Sequence, residues 1–284
     1  MSRNVLPSIF QYLPNKISRP AEPTKPRGPY LNDRVPGINS LPLIFGHRGY
    51  SSKAPENSLA AFQLIINSPF PGVELDIQET LDGELVIHHD WDLVRTAGVS
   101  KEIAKSTWNE IKDASIGWWY GKDFSKETLP LLSDLFELGK KTLYYDIEIK
   151  ERNKKNPRLV ANLGNMIRNY GLEEHVLVSS FNPLILKEFS RSYPEILTAA
   201  IYSHHPEVPW YLRGGLGATI AKTPILKPHY PIAQKKLQRK TSQGRTFMPW
   251  TVNSPDEAYN LGSLGAWALI SDDPGIIAPG IAYL

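Results

Sequence analysis

Residues 43–77 read LIFGHRGYSSKAPENSLAAFQLIINSPFPGVELDI, and the order of the patterns within them decides the fold. A short apolar run at 43–45 leads into a turn rich in Gly, Ser and Pro. Pro55-Glu56-Asn57 then opens a helix whose apolar face is expected to run through Leu59, Phe62 and Ile66. A second apolar run fills 73–77, with Glu74 and Asp76 alternating between Val73, Leu75 and Ile77. Strand, helix, strand is the repeating unit of a parallel sheet.

Outward from this unit the alternation continues to the C-terminus. Strands are predicted at 43–45, 73–77, 143–149, 176–179, 198–201, 218–221, 246–250 and 268–271. Eight strands with intervening helices predict an α/β chain folded as a (β/α)8 (TIM) barrel. Two helix starts are explicit. Asn182-Pro183 supplies an N-cap with proline at the first helical position. Ser254-Pro255-Asp256-Glu257 reads as a capping box in which Ser254 and Glu257 satisfy each other's backbone donors. Residues 91–130 break the rhythm and read as a small insertion after the second strand, at the barrel mouth. Trp118, Trp119 and Tyr120 in it are expected to form a mini-core, with a platform for lipid chains as the alternative. Residues 1–40, punctuated by Pro20, Pro23, Pro26, Pro29 and Pro36, read as a proline-rich N-terminal arm before a barrel spanning 41–284.

Composition narrows the function classes. A net charge of +3 is too mild to argue for nucleic acid as a partner. The chain has no cysteine, which excludes disulfides and thiolate chemistry, so a metal must be held by oxygen or imidazole. No run approaches the roughly 18 apolar residues of a membrane helix. A soluble, cytoplasmic protein is expected. Residues 1–21 carry basic groups and no acid, which leaves room for an organelle transit peptide.

Four clusters follow predicted strand ends, where a barrel gathers its active site. They are Gly46-His47-Arg48-Gly49, Glu74-Leu75-Asp76, His88-His89-Asp90 and Asp146-Ile147-Glu148-Ile149-Lys150. Period two puts Glu74 with Asp76, and Asp146 with Glu148 and Lys150, on one face of their strands. Asp82-Gly83 is a two-residue hairpin signal, and the register it implies sets Asp76 opposite His89. His89 would then share the acidic face while His88 points away, in a structural role. Glu74, Asp76 and Glu148 are hard oxygen ligands suited to one divalent cation, Mg2+ or Ca2+. His47 and His89 suit acid–base catalysis, because imidazole is the side chain that titrates near neutrality. Arg48 and Lys150 suit phosphate oxygens. Phe181 is expected in the core, and His204, His205 and His229 are not expected to bind a ligand.

The set His47-Arg48-Gly49, Pro55-Glu56-Asn57-Ser58-Leu59, Ala61-Phe62, Glu74-Leu75-Asp76, Asp82-Gly83 and His89-Asp90 resembles the glycerophosphodiester phosphodiesterase family. Leu93, Arg95-Thr96, Glu148-Ile149-Lys150, Trp250-Thr251-Val252-Asn253 and Asp273-Pro274 extend the resemblance over about residues 43–275. The resemblance implies a TIM barrel with an insertion after strand two and His47 and His89 as the acid–base pair. It also implies a metal on Glu74, Asp76 and Glu148, phosphate at Arg48 and Lys150, and Trp250 on the glycerol side of the pocket. Ser58 stands where the family often has threonine. The chain stops soon after Pro274, so the last helix is expected to be short and barrel closure to rest on the N-terminal arm. The expected reaction is metal-dependent hydrolysis of a glycerophosphodiester to glycerol 3-phosphate and an alcohol. The alternatives are a lysophospholipase D or phosphatidylglycerol phospholipase C on the same barrel, with a lysophospholipid as small-molecule partner, and a phospholipid-binding pseudoenzyme. Loss of a site residue would mark the pseudoenzyme, and none is lost.

Overall fold

Eight parallel strands ring the core of the computed structural model, which describes residues 41–284 apart from 154, 207, 240–244 and 283. The proline-rich segment 1–40 lies outside the described residues. The strands in chain order are β1 (Leu43–His47), β2 (Gly72–Glu79), β3 (Leu85–Ile87), β4 (Asp92–Leu93) and β5 (Val99–Glu102). Then come β6 (Tyr144–Ile149), β7 (Val176–Ser180), β8 (Leu197–Tyr202), β9 (Ile225–Pro228), β10 (Thr246–Phe247) and β11 (Ala268–Ser271). The helices are α1 (Leu59–Ile66), α2 (Leu132–Gly139), α3 (Pro157–Asn169), α4 (Pro183–Ser192), α5 (Leu216–Ala221), α6 (Tyr230–Gln238), α7 (Pro255–Ser263) and α8 (Pro274–Ile281). Sheet order is β10-β9-β8-β7-β6-β2-β1-β11, with β3 paired to β2 outside the ring. One helix follows each ring strand, the (β/α)8 arrangement.

Trp267 N–H donates to Phe247 O (2.9 Å), Ile270 N–H to Pro249 O (3.1 Å) and Val252 N–H to Ile270 O (2.8 Å), joining the first and last members of the sheet. Alternate strand residues divide between two apolar layers. Val73, Leu75, Ile77, Tyr145, Ile147 and Ile149 pack outward against the helices. Phe45, Leu177, Ala199, Ile225, Met248 and Ile270 plug the barrel interior.

The structure corrects several local readings. Residues 218–221, expected as the sixth strand, lie in α5, and the strand is β9, four residues further on. A run of small and β-branched residues looks alike in a short buried helix and a short strand, so periodicity cannot separate them. Helix α1 is capped by Ser58, whose Oγ accepts from Ala61 N–H, and it buries Ala61, Phe62 and Ile65 rather than a Leu59/Phe62/Ile66 stripe. Asn182 caps α4 as expected, accepting from Leu184 and Ile185 N–H. Ser254 precedes α7 but makes no cap bond, and Glu257 bonds Tyr230 instead. The β2–β3 hairpin is one residue longer in its loop than expected. Gly83 takes φ +98° and Ile77 pairs with Ile87, so Asp76 faces His88 across the ladder rather than His89. A three-residue loop with glycine in the left-handed region does this, where a two-residue loop would have set the other register.

Residues 91–130 fold around Leu93, Ile103, Ile111, Ile116 and Leu129, which pack on Val86 of β3. That small core is aliphatic. Trp118 and Trp119 remain 53% and 39% exposed and stand outside it, which corrects the expected aromatic mini-core. Tyr120 sits edge-on between Trp119 and Phe124. No described helix is long and apolar enough to cross a membrane.

Candidate active site

Inward-facing side chains at the C-terminal strand ends build the site rung by rung. Register aligns His47 with Glu74, Glu74 with Asp146, and Asp76 with Glu148. Carboxylate oxygens of Glu74, Asp76 and Glu148 all lie within 4.8 Å of one another, and all three residues are buried. The chain enters the site through a tight turn after β1. Gly49 sits at φ +86°, and a Cβ there would lie 2.6 Å from the Ala61 Cβ, so only glycine fits. Arg48 and Asn57 also occupy left-handed backbone, at φ 55° and 56°. Both conformations cost free energy that the surrounding contacts offset. Asn57 donates to Asp76 Oδ2 (2.9 Å), and Arg48 N–H points at Glu74 Oε2 (3.3 Å).

Three cations offset most of the charge of this acidic floor. Lys150 Nζ reaches Glu148 Oε1 (2.8 Å) and Asp76 Oδ1 (3.2 Å). Arg48 bridges Glu56 (2.7 Å) and Asp76 (3.3 Å). Lys227, which the sequence reading missed, projects from β9 and is 1% exposed. Its Nζ donates to Glu74 Oε1 (3.0 Å) and Ser179 Oγ (3.2 Å) and forms an ion pair with Asp146, 2.8 Å from Oδ2. Burial alone would raise the Asp76 pKa. Lys150, Arg48, His89 and the Asn57 bond outweigh it and hold Asp76 well below the usual carboxylate range. Glu74 is lowered in the same way, with Lys227 and His47 overcoming burial. Asp146 differs: burial, with Glu74 adding repulsion, outweighs Lys227 and pushes it up to about 6. Lys227 itself is raised although burial opposes this, because it meets Asp146, Glu74 and Glu148 together. Asp146, Glu74, Asp76 and Glu148 against Lys150, Arg48 and Lys227 leave one excess negative charge. Hard oxygen donors converging with that charge are a donor set that fits a divalent metal ion.

Both candidate histidines have Nδ1 committed to a carboxylate. His47 Nδ1 lies 2.6 Å from Asp272 Oδ1, and its Nε2 lies 3.9 Å from Glu74 Oε2. Burial would raise the Asp272 pKa, but His47, Asn253 and Ser51 hold it at about 2. His89 Nδ1 lies 2.7 Å from Asp90 Oδ1. Asp90 is lowered by His89 and Arg95 against the effect of burial, and Arg95 continues to Glu56 and so to Arg48. With Nδ1–H donated to a carboxylate, the neutral ring presents Nε2 as the acceptor. His88 is buried, bonded through Nε2 to Thr96 Oγ1 (2.8 Å) and through Nδ1 to Asp90 O (2.9 Å). The ladder ends at Ile87, and the irregular chain beyond it turns His89, not His88, toward the cavity.

That cavity has a volume of about 1140 Å3 and is lined by His47, Arg48, Glu74, His89, Glu148, Lys150 and Trp250 among others. Asp76, beneath Lys150 and Arg48, is the expected site residue that does not reach its surface. Trp250 bonds Lys227 O through Nε1 (2.9 Å) and meets Phe181 edge-on. Phe181 thus lines the cavity instead of joining the core, because it follows the last residue of β7 and the strand alternation no longer aims it. His205 also lines the cavity, while His229 packs against Trp250. Two partners escaped the sequence reading. Lys227 was lost with the misplaced strand, although a lysine within an apolar run ending in proline is a usable signal. Asp272 directly follows the last strand, the position at which a barrel places functional groups.

The model of the glycerophosphoryl diester phosphodiesterase family matches residues 47–276. A glycerophosphodiester phosphodiesterase from Caldanaerobacter subterraneus subsp. tengcongensis is 32% identical over 234 residues, 82% of this chain and 94% of its own. A glycerophosphodiester phosphodiesterase from Bacillus altitudinis is 28% identical over 242 residues, 81% of this chain and 94% of its own. Among solved structures, an Oleispira antarctica phosphodiesterase in complex with the product sn-glycerol-3-phosphate superposes with a TM-score of 0.74 at 27% identity. The match covers 85% of this chain and 97% of that one. On the family match across the whole barrel, the chain belongs to the glycerophosphoryl diester phosphodiesterase family and is an enzyme of that class.

Proposed function

We propose that the chain hydrolyses a glycerophosphodiester to glycerol 3-phosphate and an alcohol, with one divalent cation, Mg2+ or Ca2+, held by Glu74, Asp76 and Glu148. The observation that carries this reading is the acidic triad flanked by two imidazoles, each anchored at Nδ1 by its own carboxylate. The bound cation would polarise a phosphoryl oxygen as a Lewis acid. Lys150 and Arg48, which pair with the carboxylates of the triad, would bind the remaining phosphate oxygens.

Of His47 and His89, one takes a proton from the attacking oxygen at Nε2 and the other delivers one to the leaving alkoxide. Asp272 and Asp90 hold the rings in the tautomer this requires and stabilise the imidazolium when it forms. Trp250 forms the wall on the side assigned to the glycerol.

A coupled assay for released glycerol 3-phosphate over a panel of diesters tests the reading. Turnover should disappear in excess chelator and return with Mg2+ or Ca2+. Full activity in chelator would refute the cation's role, and no product from any diester would refute the hydrolysis.

A further inference from the structure

Arg95 belongs to the insertion 91–130, yet both groups it bonds lie at the edge of the active site. Its backbone is pinned on either side. Leu93 is buried in the aliphatic core of the insertion, and the buried Thr96 meets His88 Nε2 at 2.8 Å. Between these anchors the single helical turn Val94–Ala97 presents Arg95. Its guanidinium spans two carboxylates from different parts of the chain. Nε donates to Asp90 Oδ2, while Nη2 and Nη1 donate to Glu56 Oε1 (2.7 Å) and Oε2 (3.1 Å). Each carboxylate also holds a residue of the site. Asp90 Oδ1 lies 2.7 Å from His89 Nδ1, and Glu56 Oε1 accepts from Arg48 Nη1 (2.7 Å). Among the described residues no hydrogen bond or ion pair runs directly between residues 88–90 and 48–57, and Arg95 spans them. A planar fork can hold two carboxylates at a fixed angle, which the point charge of a lysine cannot. Arg95 is 46% exposed at its side chain, so water reaches the guanidinium from outside while its partners stay mostly covered.

We propose that Arg95 is a positioning residue for catalysis: by bridging Asp90 and Glu56 it fixes the imidazole of His89 relative to the guanidinium of Arg48. This rests on the roles proposed above for His89 in proton transfer and Arg48 in phosphate binding. A group that exchanges a proton with the substrate must stand within hydrogen-bond reach of it, and a small misplacement is costly. His89 sits on irregular chain beyond the end of β3, where no ladder holds it. Arg48 sits in the turn after β1, in left-handed backbone. Arg95 itself touches no substrate and exchanges no proton. The aliphatic core of the insertion serves the chemistry by keeping the Arg95 backbone in place.

The test follows release of glycerol 3-phosphate from the diester panel, with the full chain and Mg2+. Arg95→Ala should lower kcat about 10–100-fold with KM within threefold, the scale of a lost partner behind a reacting group. Arg95→Lys keeps the charge without the fork and should stay at least fivefold below wild type. Millimolar guanidinium chloride should raise kcat of Arg95→Ala at least fivefold, with no gain for wild type and none from sodium chloride at equal ionic strength. Arg95→Ala added to His89→Ala should cost less than a further threefold, because a group that acts through His89 has nothing left to position. A further tenfold loss in that double variant overturns the proposal. So does Arg95→Lys at the wild-type rate, or a guanidinium response matched by sodium chloride. If wild type cleaves no diester, the hydrolase reading falls and the proposal with it, whereas an active wild type beside an unimpaired Arg95→Ala removes the proposal alone.

Discussion

Replacing Lys227 with methionine removes a buried charge while nearly preserving side-chain volume, so the cost is electrostatic rather than one of cavity formation. In the native fold the ammonium donates to Glu74 and Ser179, pairs with Asp146 and is almost sealed from water. Without it Asp146 keeps only the Ser179 hydroxyl, and Glu74 keeps the Arg48 N–H and the more distant His47. Breaking a buried ion pair by deleting one partner costs about 3–5 kcal/mol. For a domain of this size about 2–4 °C of melting temperature is lost per kcal/mol, so Tm should fall by about 6–20 °C.

The pH dependence carries a definite sign. Asp146 is already pushed up to about 6 by burial, and losing Lys227 raises it further. An acid whose folded pKa lies above its unfolded value of about 4 penalises folding only once it ionises. The deficit should therefore be largest near pH 8 and shrink toward pH 5. Thermal melts of wild type, Lys227→Met and Lys227→Met/Asp146→Asn across that range make the measurement, and the double variant should recover part of the loss at pH 8. A single variant melting within about 2 °C of wild type at pH 8, or a deficit that grows on acidification, would refute the compensation of these carboxylates by Lys227.

Three further outcomes are expected. His89→Ala should lower turnover at least 10^2-fold, the scale of a lost general acid or base, whereas His88→Ala should act through the melting temperature, since His88 is bonded inward to Thr96; steady-state kinetics with melting curves separate the two, and the opposite pattern would remove His89 from the chemistry. Asp272→Asn should lower kcat about 10–100-fold with KM within threefold, because it orients His47 and touches no substrate, and a change confined to KM would contradict that role. Glu56, Glu74, Asp76, Asp90 and Asp272 are all held below their ordinary pKa, so their stabilisation is present above about pH 4 and is lost as pH falls toward 2. Tm should decline through that window and less steeply in Asp272→Asn, whereas a pH-independent Tm would show these carboxylates gain nothing on folding.

The sequence by itself determined what is local. The period of two that sets Glu74 beside Asp76, and Asp146 beside Glu148, follows from strand geometry alone, and the register of β2 on β6 then brings Asp76 level with Glu148. Alternating apolar runs and capped helices were enough for the barrel, because each βα unit must bury a face that only a neighbouring unit can cover. His47 and His89 could be named, yet the register used to place His89 was wrong by one residue. A loop of two or of three residues is a small difference in sequence, and its consequence appears only when the ladder forms. Lys227 and Asp272 needed the closed ring. They lie 153 and 225 residues from Glu74 and His47, the groups they hold, so their positions can mark them as functional without telling which group each one meets. Whether a lysine on an apolar strand is a misfit or a counter-ion depends on which carboxylates the barrel turns toward it. That was decided by the tertiary structure, because a buried charge is tolerated only where opposite charges from distant strands meet it.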